Sequence, residues 1–268
     1  MSEIKVNSIK GVAASTAALT INNTDGTCTA NLTNRTNKNL IINGAMQVAQ
    51  RGTSSTVSGY GTVDMFRPFY SGTDEAPTQA QADVASGTTP YTSGFRKSLK
   101  ITNGNQTSGA GTADVIEFAT KLEAQDIANS GWNYTSASSF ITLSFWVKSS
   151  VAQNFYGQLV TTDGTSQNYP FETGSLSADT WTKITKTIPG NSNLQFDNNA
   201  NKGIDIKWIM FRGSDTTGSV SLNAWAANNN SVRVPNNTST WYTTNDATFE
   251  VTGVQLEVGS VATDFEHR

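Results

Sequence analysis

Cysteine and histidine are almost missing from this 268-residue chain, which has one of each, Cys28 and His267. A disulfide framework within the chain is therefore excluded, and so is a structural zinc site built from Cys and His. Nucleophilic triads need a base, normally His, and a lone penultimate histidine is a poor one. Charge is scarce as well: 15% of the residues are charged, against about 25% in average globular chains. No run approaches the ~18 apolar residues of a membrane helix. The opening stretch MSEIKVNSIKG has no apolar core of signal-peptide length. Gly-rich phosphate loops and Walker patterns do not occur. These absences lead to the expectation of a soluble, non-catalytic chain made in a cytoplasm.

Ser, Thr, Asn and Gly fill the space that charge leaves, and they surround six Trp. Aromatic and β-branched residues cluster into strand-length runs, which argues against disorder. Residues 1–51 carry Lys5, Lys10, Arg35, Lys38 and Arg51 against Glu3 and Asp25, a balance of +3, so the remainder carries -6. A weakly basic arm of this kind serves solubility or docks on an acidic partner surface. It is too weakly basic for nucleic acid.

Residues 1–39 read as one unit: a weak strand in IKVNSIKG, a second in AASTAALTINN, and a turn-rich stretch with a hairpin signal at Asp25-Gly26. Their apolar content is too small for a core. Character changes at Asn39. NLIINGAMQVAQRG opens as an apolar strand, GTVDMFRPFYSG follows, and residues 71–94 read mostly as loop. Further strands are RKSLKITNG, TADVIEFATKLE, SSFITLSFWVKSS, QNFYGQLVTTDG, TWTKITKTIPG and GIDIKWIMFRG. In SSFITLSFWVKSS, Ile141, Leu143, Phe145 and Val147 share one face, with Thr142, Ser144, Trp146 and Lys148 on the other. EAQDIAN is the one helical signal. Ser214 to Asp246 is a long polar stretch carrying Trp225, Trp241 and Tyr242.

The last strand, FEVTGVQLEVG, changes phase. Phe249 and Val251 share one parity; Val254, Leu256 and Val258 share the other. Side chains alternate along a strand, so either an extra residue restores the second set to the core, with Gly253 as the expected β-bulge, or Phe249 and Val251 pack on the second sheet's side or on a neighbour. With about nine or ten strands, little helix and no 20–50-residue repeat, the fold predicted is all-β. It is a two-sheet antiparallel β-sandwich, a jelly roll, over residues 40–268, preceded by an extended arm over 1–39.

Sugars are held by aromatic faces with polar groups around them. Trp146, Trp225, Trp241 and Tyr242 are the ligand-binding candidates, each weighed against plain packing. Glu117, Glu123, Asp126 and Glu172 are carboxylates of the type glycosidases use; on a sandwich such groups are mostly solvated. Ile4, Val6, Ile9, Lys10, Leu19 and Ile21 are candidates for attachment, the arm adding strands to a partner's sheet edge.

NLIINGAMQVAQRGTS, GYGTVDMFRPF, ITLSFWVKSS, TWTKITKTIPG and FEVTGVQLEVGSVATDFEHR occur in this order. Together they resemble the jelly-roll domains of tailed-phage virion proteins, tail fibres among them, which are similar in turn to carbohydrate-binding modules. The resemblance spans about residues 39–268, and the first and last stretches are its specific part. One departure is Asp64-Met65-Phe66-Arg67, where Asp-Arg before an aromatic residue is expected. The resemblance implies a virion protein, on the tail or as a capsid decoration, anchored by its arm to other virion proteins. It also implies a homo-oligomer, with a trimer favoured, and a surface for host polysaccharide. Similar jelly rolls hold a structural calcium ion through oxygen ligands, for which Asp64, Glu117 and Asp264 are the candidates. The alternative is a stand-alone carbohydrate-binding module.

Overall fold

The computed structural model describes residues 6–9, 12, 19–21, 24, 28–30 and 38–268. The chain divides into two compact units, Met1–Asn37 and Lys38–Arg268. In the first, β1 (Ser8–Ile9), β2 (Leu19–Ile21) and β3 (Cys28–Ala30) form a small antiparallel sheet in that order. Strand β3 lies in the stretch read as turns. Ile4, Lys10 and the Asp25-Gly26 turn lie outside the described residues.

The second unit runs β4 (Ser54–Ser55), β5 (Phe66–Ser71), β6 (Thr78–Asp83), α1 (Thr89–Thr92), β7 (Lys97–Thr102), β8 (Val115–Glu123) and α2 (Ala124–Ala128). It continues through β9 (Phe140–Ser149), β10 (Asn154–Thr161), β11 (Gln167–Ser175), β12 (Thr182–Pro189), β13 (Lys202–Arg212), β14 (Ala226–Ala227), α3 (Thr240–Thr243) and β15 (Thr248–Val258). Two six-stranded antiparallel sheets result, ordered β14-β11-β10-β13-β8-β5 and β12-β9-β15-β7-β6-β4. The fold is thus the two-sheet β-sandwich that the strand pattern predicts. Among the described residues, no helix is long and apolar enough to cross a membrane.

Alternation builds the core. Ile141, Leu143, Phe145 and Val147 of β9 are all fully buried. They meet Ile204, Ile206, Trp208 and Met210 of β13, from the other sheet, in one apolar cluster. Rings lock the two sheets together: Phe145 packs edge-on against Trp208 at 5.5 Å, and Phe155 of β10 lies 4.9 Å from Phe249 of β15.

The phase change in β15 is a bulge. Thr252 lies opposite Trp146 of β9, but the next pair is Gln255 opposite Ser144, so β15 spends one residue more than its partner. Gly253 supplies the required positive φ of +62°. Phe249 and Val251 before it, and Val254 and Leu256 after it, all reach the core. The bulge also changes partners. Residues 248–251 pair with β7, whereas beyond the bulge the edge is taken by the entering segment: Leu40 N donates to Leu256 O at 2.8 Å and Val254 N to Gly44 O at 2.9 Å.

That entering segment is not the strand expected from NLIINGAMQVAQRG. Asn43 and Met46 both take positive φ, and residues 42–45 make a turn. Its apolar residues Ile41 and Met46 are buried all the same. Two further strands carry little apolar alternation. Strand β6 is TQAQAD, whose Gln79 is buried by bonding to Thr62, Val57 and Gly59. Strand β11 contains Pro170, tolerated because its outer neighbour β14 pairs only with Gln167 and Asn168.

Candidate functional site

On the face of the β12-β9-β15 sheet that points away from the core lies a groove of about 310 Å³. Its floor follows from the alternation of β9: with the even-numbered side chains turned outward, Ser144 and Trp146 line it. Trp146 is half-buried. Register places Lys183 of β12 directly opposite Trp146, so both project from the same face. Ser93, Phe95 and Gly253 close one side. Thr263, Asp264, Phe265 and His267 of the C-terminal tail form another wall.

Polar side chains of β15 pull the tail back over the sheet. Thr263 donates to Glu257 through both its backbone N (2.9 Å) and its Oγ1 (2.6 Å). Gln255 Nε2 donates to Asp264 O, and Gln255 Oε1 accepts from Glu266 N at 2.8 Å. These contacts explain why Gln255 and Glu257 are buried although they face away from the core. Phe265 then packs edge-on between Phe95, at 4.8 Å, and His267, at 5.0 Å. The absent side chain of Gly253 makes room: a Cβ there would lie 2.6 Å from the Phe95 ring. The groove therefore offers an indole face, hydroxyls from serine and threonine, an ammonium, a carboxyl and an imidazole at the rim.

Of the four aromatic candidates, Trp146 alone lines this groove. Trp241 and Tyr242 are almost completely buried, so neither can stack on a ligand. The polar stretch suggests a loop surface, but α3 tucks both inward. Trp241 Nε1 donates to Thr248 O at 3.0 Å, and the Tyr242 hydroxyl donates to Asp114 Oδ2 at 2.8 Å. Burial and the Asp114 carboxylate push the Tyr242 hydroxyl above its ordinary pKa. Trp225 is half-buried against the core, 5.2 Å from Tyr169, and its Nε1 donates to Pro189 O at 2.7 Å. It thereby joins the β14-β11 edge of one sheet to edge strand β12 of the other.

The three calcium candidates are not brought together. Asp64 pairs with Arg51 at 3.2 Å, and Asp264 lies in the tail. Glu117 on β8 is buried with both oxygens occupied, Oε1 by Lys207 Nζ at 2.8 Å and Oε2 by Arg212 Nη2 at 2.6 Å. Among the described residues, no three His, Cys, Asp or Glu side chains lie close enough to hold a metal ion. Burial alone would raise the Glu117 carboxyl; Arg212 and Lys207 outweigh it and hold the group below its ordinary value.

Sequence reasoning missed Phe95, Lys183, Phe265 and His267 as groove residues, and Trp181 beside them. Phe265 and His267 are visible as the aromatic character of DFEHR, but only the fold-back over β15 gives them a place. Lys183 meets Trp146 through a register between strands separated in sequence by β10 and β11.

No family model matches this chain, and no curated protein matches it. Solved structures similar to it include the enzymatically active domain of tailspike protein 4 of bacteriophage CBA120, at 9% identity and a TM-score of 0.39, over 82% of this chain and 21% of that one. The chain thus spans about a fifth of that tailspike domain's length. The N-terminal cellulose-binding domain of β-1,4-glucanase C from Cellulomonas fimi is similar at 10% identity and a TM-score of 0.37, over 80% of this chain and 99% of that one. The baseplate tripod of bacteriophage Tuc2009 is similar at 13% identity and a TM-score of 0.37, over 86% and 58%. Phage tail domains and carbohydrate-binding β-sandwiches therefore both stand among the structures it resembles.

Proposed function

We propose that this chain is a non-catalytic phage virion protein whose Lys38–Arg268 body binds host-surface glycan in the groove at Trp146. The Met1–Asn37 unit would anchor it to other virion proteins, as part of a trimer, through Val6, Ile9, Leu19, Ile21 and their neighbours Ile4 and Lys10. One observation carries the glycan reading: a half-buried indole lies in an open groove, ringed by hydroxyls, an ammonium and a carboxyl. That is the combination a pyranose needs, with an apolar face to stack and hydroxyls to hold. Asp264 is the one carboxyl among the groove's lining residues, so the paired carboxylates of glycoside hydrolysis do not meet there. The virion reading is supported by the sequence resemblance, and the exposed side chains of Val6 and Ile9 suit a strand that pairs elsewhere.

Two measurements test this. Trp146→Ala should weaken binding to host polysaccharide by about tenfold or more, roughly 1.4 kcal/mol, while leaving the melting temperature near that of the parent, because the ring is not part of the core. Calorimetric titration of both proteins reads the difference; equal affinity would remove the groove from the reading. An antibody against residues 40–268, located by electron microscopy on purified particles, tests the virion assignment. Label at the tail supports adhesion and label over the shell supports a decoration protein. An unlabelled particle favours the alternative, a free carbohydrate-binding module, which the self-contained core of Lys38–Arg268 would permit.

A further inference from the structure

We infer that the glycan this groove takes is anionic, its ring on Trp146 and its carboxylate on Lys183. This rests on the glycan-binding reading above and narrows it. The inference comes from a checkerboard on the outer face of β9 and β12. Trp146 lies opposite Lys183. One rung along, Lys148 of β9 holds its Nζ 5.2 Å from the ring of Trp181, just before β12. Two indoles thus occupy one diagonal and two ammonium groups the other, with diagonal neighbours on adjacent strands about 7–8 Å apart. Both indoles are half-buried; Trp146 lines the groove, while the ring of Trp181 carries the Lys148 ammonium.

The two lysines are not equivalent. Lys148 is neutralised by Glu250, which lies 3.0 Å away and is itself held by Ser98 at 3.0 Å. Lys183 is exposed, and among the described residues it forms no ion pair. With a neutral sugar a free ammonium beside an aromatic face only donates to hydroxyls. With a sugar acid it supplies the counter-charge while the ring stacks. Asp264 stands on the tail wall of the same groove. A negative group entering the site therefore meets attraction on the strand side and repulsion on the tail side, which fixes the orientation of an acidic ring across the groove. A single unneutralised ammonium suits a singly charged carboxylate better than a phosphomonoester, whose second charge would stay unpaired.

The test is a set of immobilised oligosaccharides containing uronic or sialic acid, the same oligosaccharides with the carboxyl groups methyl-esterified, and neutral β-glucans, probed with the full chain. The expected result is binding to the acids at least about tenfold tighter than to their esters, weakening as salt is raised. Lys183→Gln should abolish that preference, lowering affinity for the acids far more than for the esters, and Trp146→Ala should weaken both. Circular dichroism of each variant checks that the sandwich is intact. Equal affinity for acids and esters, or an acid preference that survives Lys183→Gln, overturns the anionic assignment and leaves glycan binding standing. Binding to none of the sugars overturns both.

Discussion

Glu117 shows how far a residue's chemistry can depart from what its type suggests. As a carboxylate in a β-rich chain it is a fair metal ligand or glycosidase acid. In the fold it is buried between Lys207 and Arg212, both on β13 and some ninety residues away in sequence. Removing it leaves two cations in a poorly solvated place, so Glu117→Gln should cost about 3–5 kcal/mol, read as a lower urea midpoint at neutral pH. Its pKa is held below the ordinary 4.5 in the folded state. A depressed acid contributes stability that is fully present above 4.5 and is lost as pH falls through its folded value. The parent should therefore lose stability on acidification below about pH 4.5 more steeply than Glu117→Gln, whose amide does not titrate. Parallel slopes for the two proteins would show that Glu117 stays unshifted. The same gap between type and place hid the fate of Trp241 and Tyr242: a polar neighbourhood in sequence says nothing about which side of a one-turn helix faces in.

At the scale of the element, the strands that declared themselves were those with one apolar face: β7, β8, β9, β10, β12, β13 and β15 all follow the expected runs. Strand β6 was illegible because its buried position is Gln79, satisfied by Thr62 and loop carbonyls, and β11 because Gln167, Asn168 and Pro170 leave it only two core residues, Tyr169 and Phe171. The bulge was legible because a phase change in an apolar pattern has few physical solutions. Its cause was not: Gly253 is required twice, by its φ of +62° and by the Phe95 ring lying where a Cβ would go. Gly253→Ala should cost about 2–4 kcal/mol, combining left-handed strain with overpacking. Gly253→Asn separates the two causes, because asparagine accepts positive φ but still brings a Cβ. Denaturant midpoints should fall for both variants but less for asparagine; an asparagine variant close to the parent would leave backbone strain as the whole effect.

Across the whole Lys38–Arg268 unit, the two most specific stretches of the resemblance turn out to be the two halves of one structure. Asn39 Oδ1 accepts from Ile41 N at 3.0 Å and Leu256 N at 3.2 Å, and its Nδ2 donates to Glu266 O at 3.0 Å. Glu266 Oε2 accepts from Lys38 N at 2.6 Å and Asn39 N at 3.1 Å, and Arg268 O accepts from Asn43 N at 2.9 Å. Entry and exit of the sandwich are thus tied to each other and to the β15 bulge, and the exit arm is also the groove's wall. A boundary of a few residues then separates two outcomes. A chain beginning at residue 38 keeps the whole clasp and should melt within about 2 °C of the parent, a change of no more than about 1 kcal/mol for a domain of this size. A chain beginning at residue 44 loses Asn39 and the buried Ile41 and leaves Leu256 N without a partner. That should cost on the order of 5 kcal/mol, a large part of a domain's stability. If the Met1–Asn37 unit is the attachment and assembly element, the chain beginning at 38 should also sediment as a monomer where the parent sediments as a trimer. A trimer that survives the truncation would move the assembly contacts onto the sandwich and leave the first unit a role in anchoring alone.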